Sequence, residues 1–154
     1  MFRLLAMILI FAGCLAAGCA STAVNSSGEA AAAPGAAERK ISITAGGKQA
    51  VVLLNGTQAA ERLYKSLPLT LEFSDYNNTE KIANPPEPLH RQLSPEGHTP
   101  AAGDLCIYAP WGNLCLFYRD YHGSGDLFYL GRVQSGLEYL MENEKFTAVL
   151  DRVE

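Results

Sequence analysis

The sequence lacks the basic surface that a nucleic-acid-binding protein needs. Only 12 of its 154 residues are Lys or Arg, against 16 Asp or Glu, which gives a formal charge of −4 and a pI near 5.4. The basic residues are scattered, and the densest pair is Arg39-Lys40. Because contact with phosphates requires clustered positive charge, this composition argues against a nucleic-acid partner.

The spacings that accompany metal sites and activated nucleophiles are also missing. His90 and His98 are eight residues apart and His122 lies far along the chain, with no C-x-x-C or H-x-x-x-H spacing. No G-x-S-x-G elbow is present, and Ser124 follows a turn. Three aspartates occupy turn or strand-end positions, which Asp favours: Asp104, Asp120 and Asp126. We predict no metal, no cofactor and no catalytic residue.

The N-terminal apolar run is too short to span a membrane, which takes about 20 residues. It extends from Leu4 to Leu15, follows Arg3 and precedes the small residues Ala16-Ala17-Gly18. A positive start, an apolar centre and a small-residue end are typical of a secretory signal.

The end of that signal, Leu15-Ala16-Ala17-Gly18-Cys19, resembles the lipobox of bacterial lipoproteins. The resemblance implies cleavage before Cys19, acylation of Cys19 and a firm anchor in a membrane. The residue after Cys19 is Ala20 rather than Asp, which is similar to the pattern of lipoproteins sorted to the outer membrane in enteric-type bacteria. We therefore expect a lipid-anchored protein of the bacterial cell envelope, on the periplasmic face of the outer membrane if the cell is Gram-negative. The alternative is an ordinary secretory signal with incidental cysteines.

The length allows one folded domain and a tail. We interpret residues 1–18 as the signal peptide and residues 19–39 as the lipidated cysteine with a flexible tether rich in Ala, Ser and Gly. Residues 40–154 then form the folded domain.

Short strands dominate the pattern of that domain. Alternating apolar residues on either side of Gly46-Gly47 predict a first hairpin, and Thr57 is placed to cap a helix through Lys65. Further strands are predicted at 69–73, 80–83, 105–109, 114–118, 127–130 and 146–153. A connection over 131–134 leads to a second helix, which a Ser135/Glu138 capping box would open and which would bury Leu137, Leu140 and Met141.

The segment 84–100 contains five of the eight prolines and is predicted to be a surface loop. About eight short strands and two short helices suit a mainly β, closed antiparallel barrel. The apolar residues of 105–109 and 114–118 occupy both side-chain parities, so these strands should be covered on both faces or close into the barrel.

Two segments carry a resemblance to the bacterial cyclophilin-like proteins: Tyr108-Ala109-Pro110-Trp111-Gly112-Asn113-Leu114 and Leu130-Gly131-Arg132-Val133-Gln134-Ser135-Gly136-Leu137. It covers about residues 41–153 and implies a cyclophilin-like β-barrel; many of these proteins have no assigned activity. True cyclophilins place an arginine beside an apolar pocket to lower the barrier of about 18–20 kcal/mol to X-Pro rotation. Their F-H-R and G-S-Q-F-F runs are missing, and His90-Arg91 lies in the proline-rich loop.

We therefore expect a binding module for a peptide or small ligand. The alternatives are a prolyl isomerase that uses Arg132 or Arg91 in a non-standard site, and a structural lipoprotein that contacts another envelope protein. The candidate ligand-facing residues are Tyr108, Trp111, Asn113 and Arg132, because aromatic rings stack and an arginine forms paired hydrogen bonds. Alternatively, Trp111 plugs the barrel end and Arg132 holds a loop carbonyl.

The positions of Cys106 and Cys115 predict how the two strands of the hairpin pair. If the hairpin turns between Pro110 and Trp111, paired positions sum to 221, so these two cysteines face each other. They could form a disulfide in an oxidising compartment, or pack as two small apolar side chains.

Overall fold

The computed structural model describes residues 39–154. The predictions for the signal peptide, Cys19 and the tether up to residue 38 lie outside the described residues, whereas Arg39, the last residue of the predicted tether, begins the first strand. Within them the chain forms eight strands and two helices: β1 (Arg39–Ala45), β2 (Lys48–Leu54), α1 (Gln58–Ser66), β3 (Leu69–Tyr76), β4 (Glu80–Ala83), β5 (Asp104–Tyr108), β6 (Asn113–Phe117), β7 (Leu127–Ser135), α2 (Leu137–Leu140) and β8 (Lys145–Val153).

All eight strands join one closed sheet in the order β1-β2-β7-β5-β6-β4-β3-β8, and every pair is antiparallel. The last strand returns to the first, so that Lys40 is paired with Val153. Closure leaves no free sheet edge. The prediction of a mainly β closed barrel with two short helices is confirmed.

The barrel interior is filled by aliphatic and aromatic side chains from all sides. The largest fully buried ones include Ile41, Ile43, Phe73, Leu105, Ile107, Leu114, Leu116, Leu130 and Leu150. Helix α1 adds Leu63 to this core, and Thr57 caps the helix by accepting a hydrogen bond from the Ala60 N–H at 3.4 Å. The predicted cap is confirmed.

Two hairpins have the turns that the sequence predicts. Gly46 and Gly47 both have positive φ, which gives the tight β1–β2 turn that the sequence predicted. In the β5–β6 hairpin, Cys106 lies opposite Cys115 and Tyr108 lies opposite Asn113. The predicted register is confirmed.

The predicted strand at 127–130 and the predicted connection over 131–134 have the wrong boundaries. Strand β7 does not end at Leu130 but continues to Ser135, because β2 pairs with Gly131, Arg132 and Val133. The two strands approach so closely that a Cβ on Gly131 would lie 2.1 Å from the Leu53 carbonyl oxygen. Glycine here continues the strand by allowing this contact, whereas the sequence pattern suggested a break.

The predicted capping box is also wrong. Ser135 belongs to β7, and the residue that precedes α2 is Gly136, with φ +82° and no side-chain cap. Leu140 is buried as expected, but Met141 is 45% exposed. A positive φ at Gly136 turns the chain sharply, so the helix starts without the geometry that a serine cap needs.

Candidate functional site

The outer face of the barrel carries a second apolar cluster, separate from the interior. Strands β5 and β6 are buried along almost their whole length, on both faces. Inward residues such as Leu105 join the core, and the outward ones form a cluster with their neighbours: Ile82, Cys106, Tyr108, Cys115, Phe117, Leu127 and Tyr129. The prediction that these strands are covered on both faces is confirmed.

A cavity of about 230 Å³ opens on this outer face, between the strands and the loops that cross them. Its floor includes Ile82, Cys115, Phe117 and Leu127, and its rim includes Tyr76, Tyr108, Trp111 and Tyr121. Five different strands and three loops contribute, so the cavity exists only in the folded barrel. An apolar concave site with a few polar groups is the usual form of a small-ligand site.

Aromatic rings frame the mouth of the cavity. The Trp111 ring packs edge to face against Tyr76 and Tyr108, with ring centroids 5.6 and 5.5 Å away. Its side chain nevertheless remains 59% exposed. The alternative in which Trp111 plugs the barrel end is therefore wrong: the β5–β6 turn directs it to the outer face, where solvent reaches it.

Asn113 lines the cavity and is only 2% exposed. Its Nδ2 donates to the Cys115 Sγ at 3.3 Å and the Leu114 carbonyl oxygen at 3.4 Å. Its Oδ1 is buried and has no hydrogen-bond partner within residues 39–154. A buried acceptor without a donor is costly, so this atom marks a place where a ligand group would be stabilised.

Glu80 supplies a second unpartnered acceptor beside the same cavity. Its Oε2 is buried and accepts no hydrogen bond from the described part of the chain. Burial raises the pKa of Glu80, although a hydrogen bond from Cys115 offsets part of the effect. The side chain projects from β4 between Tyr76 and Phe117, its partners in the two neighbouring strands.

Cys106 and Cys115 are buried, and both are free thiols in this structure. Burial is the main cause that raises the pKa of each thiol far above its ordinary value, and the Glu80 carboxylate adds to it. A thiol that resists ionisation is a poor nucleophile and a poor metal ligand. Their positions favour the packing alternative, and the disulfide stays a prediction.

Arg132 does not join the other three candidate residues. It lies opposite Asp104 in the ladder between β5 and β7. Its guanidinium donates to Asp104 Oδ1 at 2.9 Å and to the Ala102 carbonyl oxygen at 2.9 Å. The expectation that Arg132 holds a loop carbonyl is confirmed, and only the other three candidates, Tyr108, Trp111 and Asn113, border the cavity.

The model of the Cyclophilin-like family matches residues 43–151, most of the folded domain. The chain belongs to the cyclophilin-like family. No curated protein matches the chain. The barrel is similar to the solution structure of the hypothetical protein AF2241 from Archaeoglobus fulgidus, at 13% identity and a TM-score of 0.60, over 75% of this chain and 95% of that one. This likeness concerns the fold alone.

The three histidines of this cyclophilin-like barrel lie apart from one another. His98 stacks on Tyr129 and approaches Asp104, whereas His90 packs against Phe128. His122 borders the cavity. Within residues 39–154 no group of three or more His, Cys, Asp or Glu side chains is arranged to hold a metal ion. Neither helix of the described chain is long and apolar enough to cross a membrane.

Sequence reasoning missed most of the strand residues of the site. Tyr76, Glu80, Ile82 and Phe117 reach the cavity from β3, β4 and β6, which the barrel brings together across some forty residues of sequence. One signal was available in the short strand β4. Glu80 and Ile82 are two residues apart and therefore lie on the same face of the strand, which places a carboxylate beside an apolar side chain.

Proposed function

We propose that this cyclophilin-like domain is a binding module whose ligand occupies the cavity on the outer face of the barrel. The observation that carries the proposal is an apolar cavity lined by Asn113 and Glu80, each of which has a buried acceptor, Asn113 Oδ1 and Glu80 Oε2, without a partner in residues 39–154. Such groups are normally satisfied. A bound ligand with donor groups would satisfy both.

The size of the cavity supports a small ligand. At about 230 Å³ it is smaller than the usual range of drug-sized sites, roughly 300–1,000 Å³. It therefore suits a small molecule or one or two side chains of a peptide. A second cavity of about 350 Å³ lies between the start of α1 and residues 92–96, but no unpartnered buried atom of the described chain borders it.

Binding without catalysis is favoured by the surroundings of the cavity. No arginine of the described chain borders it, and the resemblance to true cyclophilins implies one beside the proline. Arg132 is held by Asp104, and Arg91 lies in the loop that precedes β5. A prolyl isomerase with a non-standard site remains the rival function.

The binding function is tested by adding small-fragment and proline-containing peptide collections to the full-length protein while recording amide NMR spectra. We expect ligands to shift the amides of Ile82, Cys115 and Leu127, and to change the fluorescence of Trp111, the sole tryptophan. Filling the cavity with Leu127→Trp should remove the amide shifts. Ligands that shift only residues 92–96, or no ligand at all, would contradict the proposal, and proline-peptide isomerisation lost in Arg132→Ala would favour the rival.

We also propose that Cys19 carries a lipid that anchors the protein in the bacterial envelope, facing the periplasm in the outer membrane of a Gram-negative cell. The support is the lipobox-like segment 15–19 and the Ala20 that follows. The partner would then be a peptide or another envelope protein. Cys19→Ala should move the expressed protein from the membrane fraction to the soluble fraction, whereas Cys14→Ala should not. Equal fractionation of both variants would contradict the anchor.

A further inference from the structure

We propose that the ligand of the outer-face cavity presents a protonated amine, an ammonium group on a short apolar stem. This inference rests on the proposed binding function and names the chemical class that the site would select. Four features support it: the buried unpartnered atoms are hydrogen-bond acceptors, Glu80 is acidic, the rim is aromatic and the floor is apolar.

The unpartnered buried atoms of the cavity are an amide oxygen and, in the ionised form of Glu80, a carboxylate oxygen, and both accept hydrogen bonds. The atom of the Asn113 amide that lies beside the Leu114 carbonyl must be the nitrogen, because a carbonyl cannot donate. The amide oxygen is therefore the atom without a partner, as is Glu80 Oε2. A ligand that satisfies both must bring donors, and an ammonium group brings three.

Glu80 also lacks a cationic partner. Among residues 39–154, the carboxylates in ion pairs are Glu61, Asp75, Glu72, Asp104 and Glu142. The titratable neighbours of Glu80 around the cavity are the Cys115 thiol and the side chains Tyr76, Tyr108, Tyr121 and His122. No ion pair of residues 39–154 includes Glu80. A partly buried carboxylate without a counter-charge is unfavourable, and a bound ammonium would neutralise it.

The rim of the cavity suits a cation as well. The faces of Trp and Tyr rings attract cations, with Trp the strongest. The edge-to-face packing of Trp111 against Tyr76 and Tyr108 holds the three rings together. Trp111 and Tyr76 still expose 59% and 41% of their surface. A cation that approaches Glu80 therefore passes aromatic rings that solvent also reaches.

The floor requires an apolar stem. Ile82, Phe117 and Leu127 border the cavity with hydrocarbon, so an amine with a short aliphatic chain buries apolar surface while its nitrogen meets Glu80. A free alkylamine and the side chain of a lysine share this chemistry.

The test uses the full-length protein, with Trp111 fluorescence and amide NMR as readouts. The probes are n-butylammonium, n-butanol, butyrate and N-acetyl-lysine-N-methylamide, at pH 7 and constant ionic strength. We expect n-butylammonium to bind at least tenfold more tightly than n-butanol, and butyrate not to bind. Tighter binding of the lysine derivative than of n-butylammonium would identify a peptide as the source of the amine, and the reverse would identify a free amine.

Glu80→Gln should reduce the preference for n-butylammonium over n-butanol to less than twofold. Glu72→Gln is the matched control, since Glu72 is exposed on the neighbouring strand β3 and lies outside the cavity; it should leave the preference unchanged. If Glu80→Gln does not fold, Tyr76→Leu and Tyr76→Phe replace it, and only the leucine variant should weaken ammonium binding.

The failure of this inference is distinguishable from failure of the binding function. Equal affinities for n-butylammonium and n-butanol, unchanged in Glu80→Gln, would overturn the amine proposal while the cavity remained a binding site. Equal affinities of the Tyr76→Leu and Tyr76→Phe variants for n-butylammonium would also contradict it. If neither these probes nor the fragment and peptide collections perturb the cavity, the binding function itself fails.

Discussion

Replacing Asp75 by alanine is expected to lower the free energy of unfolding by about 3–5 kcal/mol, because it leaves a buried ammonium without its counter-charge. Lys81 is only 3% exposed, and its Nζ donates to Asp75 Oδ2 at 2.8 Å and to the Asn143 carbonyl oxygen at 2.9 Å. Tyr118 donates to the same carboxylate oxygen at 2.7 Å. Urea denaturation of the wild type and the variant measures the loss.

Strand β3 offers a matched control for this prediction. Glu72 pairs with Lys145 at the same 2.8 Å, but both side chains are 62% exposed. Glu72→Ala should therefore change stability by less than about 1 kcal/mol. The double variant Asp75→Ala with Lys81→Met should recover part of the loss, because it removes the unpaired charge. Equal losses for Asp75→Ala and Glu72→Ala would contradict the explanation.

The pH dependence provides a second readout of the same cluster. Desolvation alone would raise the pKa of Asp75, but the hydrogen bonds from Lys81 and Tyr118 and the charge of Lys81 outweigh it and lower that pKa below its ordinary value. A carboxylate with a lowered folded-state pKa contributes stability that is complete above the ordinary pKa and is lost as pH falls through the folded value. This acidic loss should be smaller in Asp75→Ala.

The second large effect is expected for Asp104→Ala, which should lower the free energy of unfolding by about 3 kcal/mol. Hydrogen bonds to a charged group are worth roughly 1.5–3 kcal/mol each, but the exposed partners can be rehydrated after the carboxylate is removed. Asp104 is 2% exposed and accepts from Arg132 and from the Ala101 N–H, both at 2.9 Å. His98 Nε2 lies 2.8 Å from the same carboxylate. One buried carboxylate thus joins β7 to the loop before β5.

Thermal unfolding checks this prediction, with Asp126→Ala as the control. Asp126 is an exposed turn residue, and its side chain forms no ion pair in the described chain, so its replacement should change the free energy of unfolding by less than about 0.5 kcal/mol. If Asp104→Ala unfolds at the same temperature as Asp126→Ala, the carboxylate does not hold the loop.

The fold could be predicted from the sequence because its signals are local. Alternation along β1 and β2, the Thr57 cap and the turn at Gly112 each depend on neighbouring residues, and the facing cysteines follow from the turn. The errors occurred where a long-range contact decided the outcome. Gly131 looked like a break, but the approach of β2 makes it part of a strand.

The site was predicted only in part, for the same reason. Tyr108, Trp111 and Asn113 share one hairpin, so the sequence could group them. Glu80 belongs to a strand that meets β6 only through barrel closure. The sequence groups Arg132 with the hairpin because an arginine can form paired hydrogen bonds with a ligand, but the structure directs it to Asp104, since the buried carboxylate supplies a better partner than an apolar cavity.

The closure of β8 onto β1 has a practical consequence. In the ring of eight strands these two are neighbours, and they lie diametrically across from β5 and β6, which form the base of the cavity. Arg39 and Val153, which end these two strands, therefore lie on the side of the barrel opposite the cavity. A sensor chip, a fluorescent fusion or a bead linked at either place should leave the mouth beside Trp111 unobstructed.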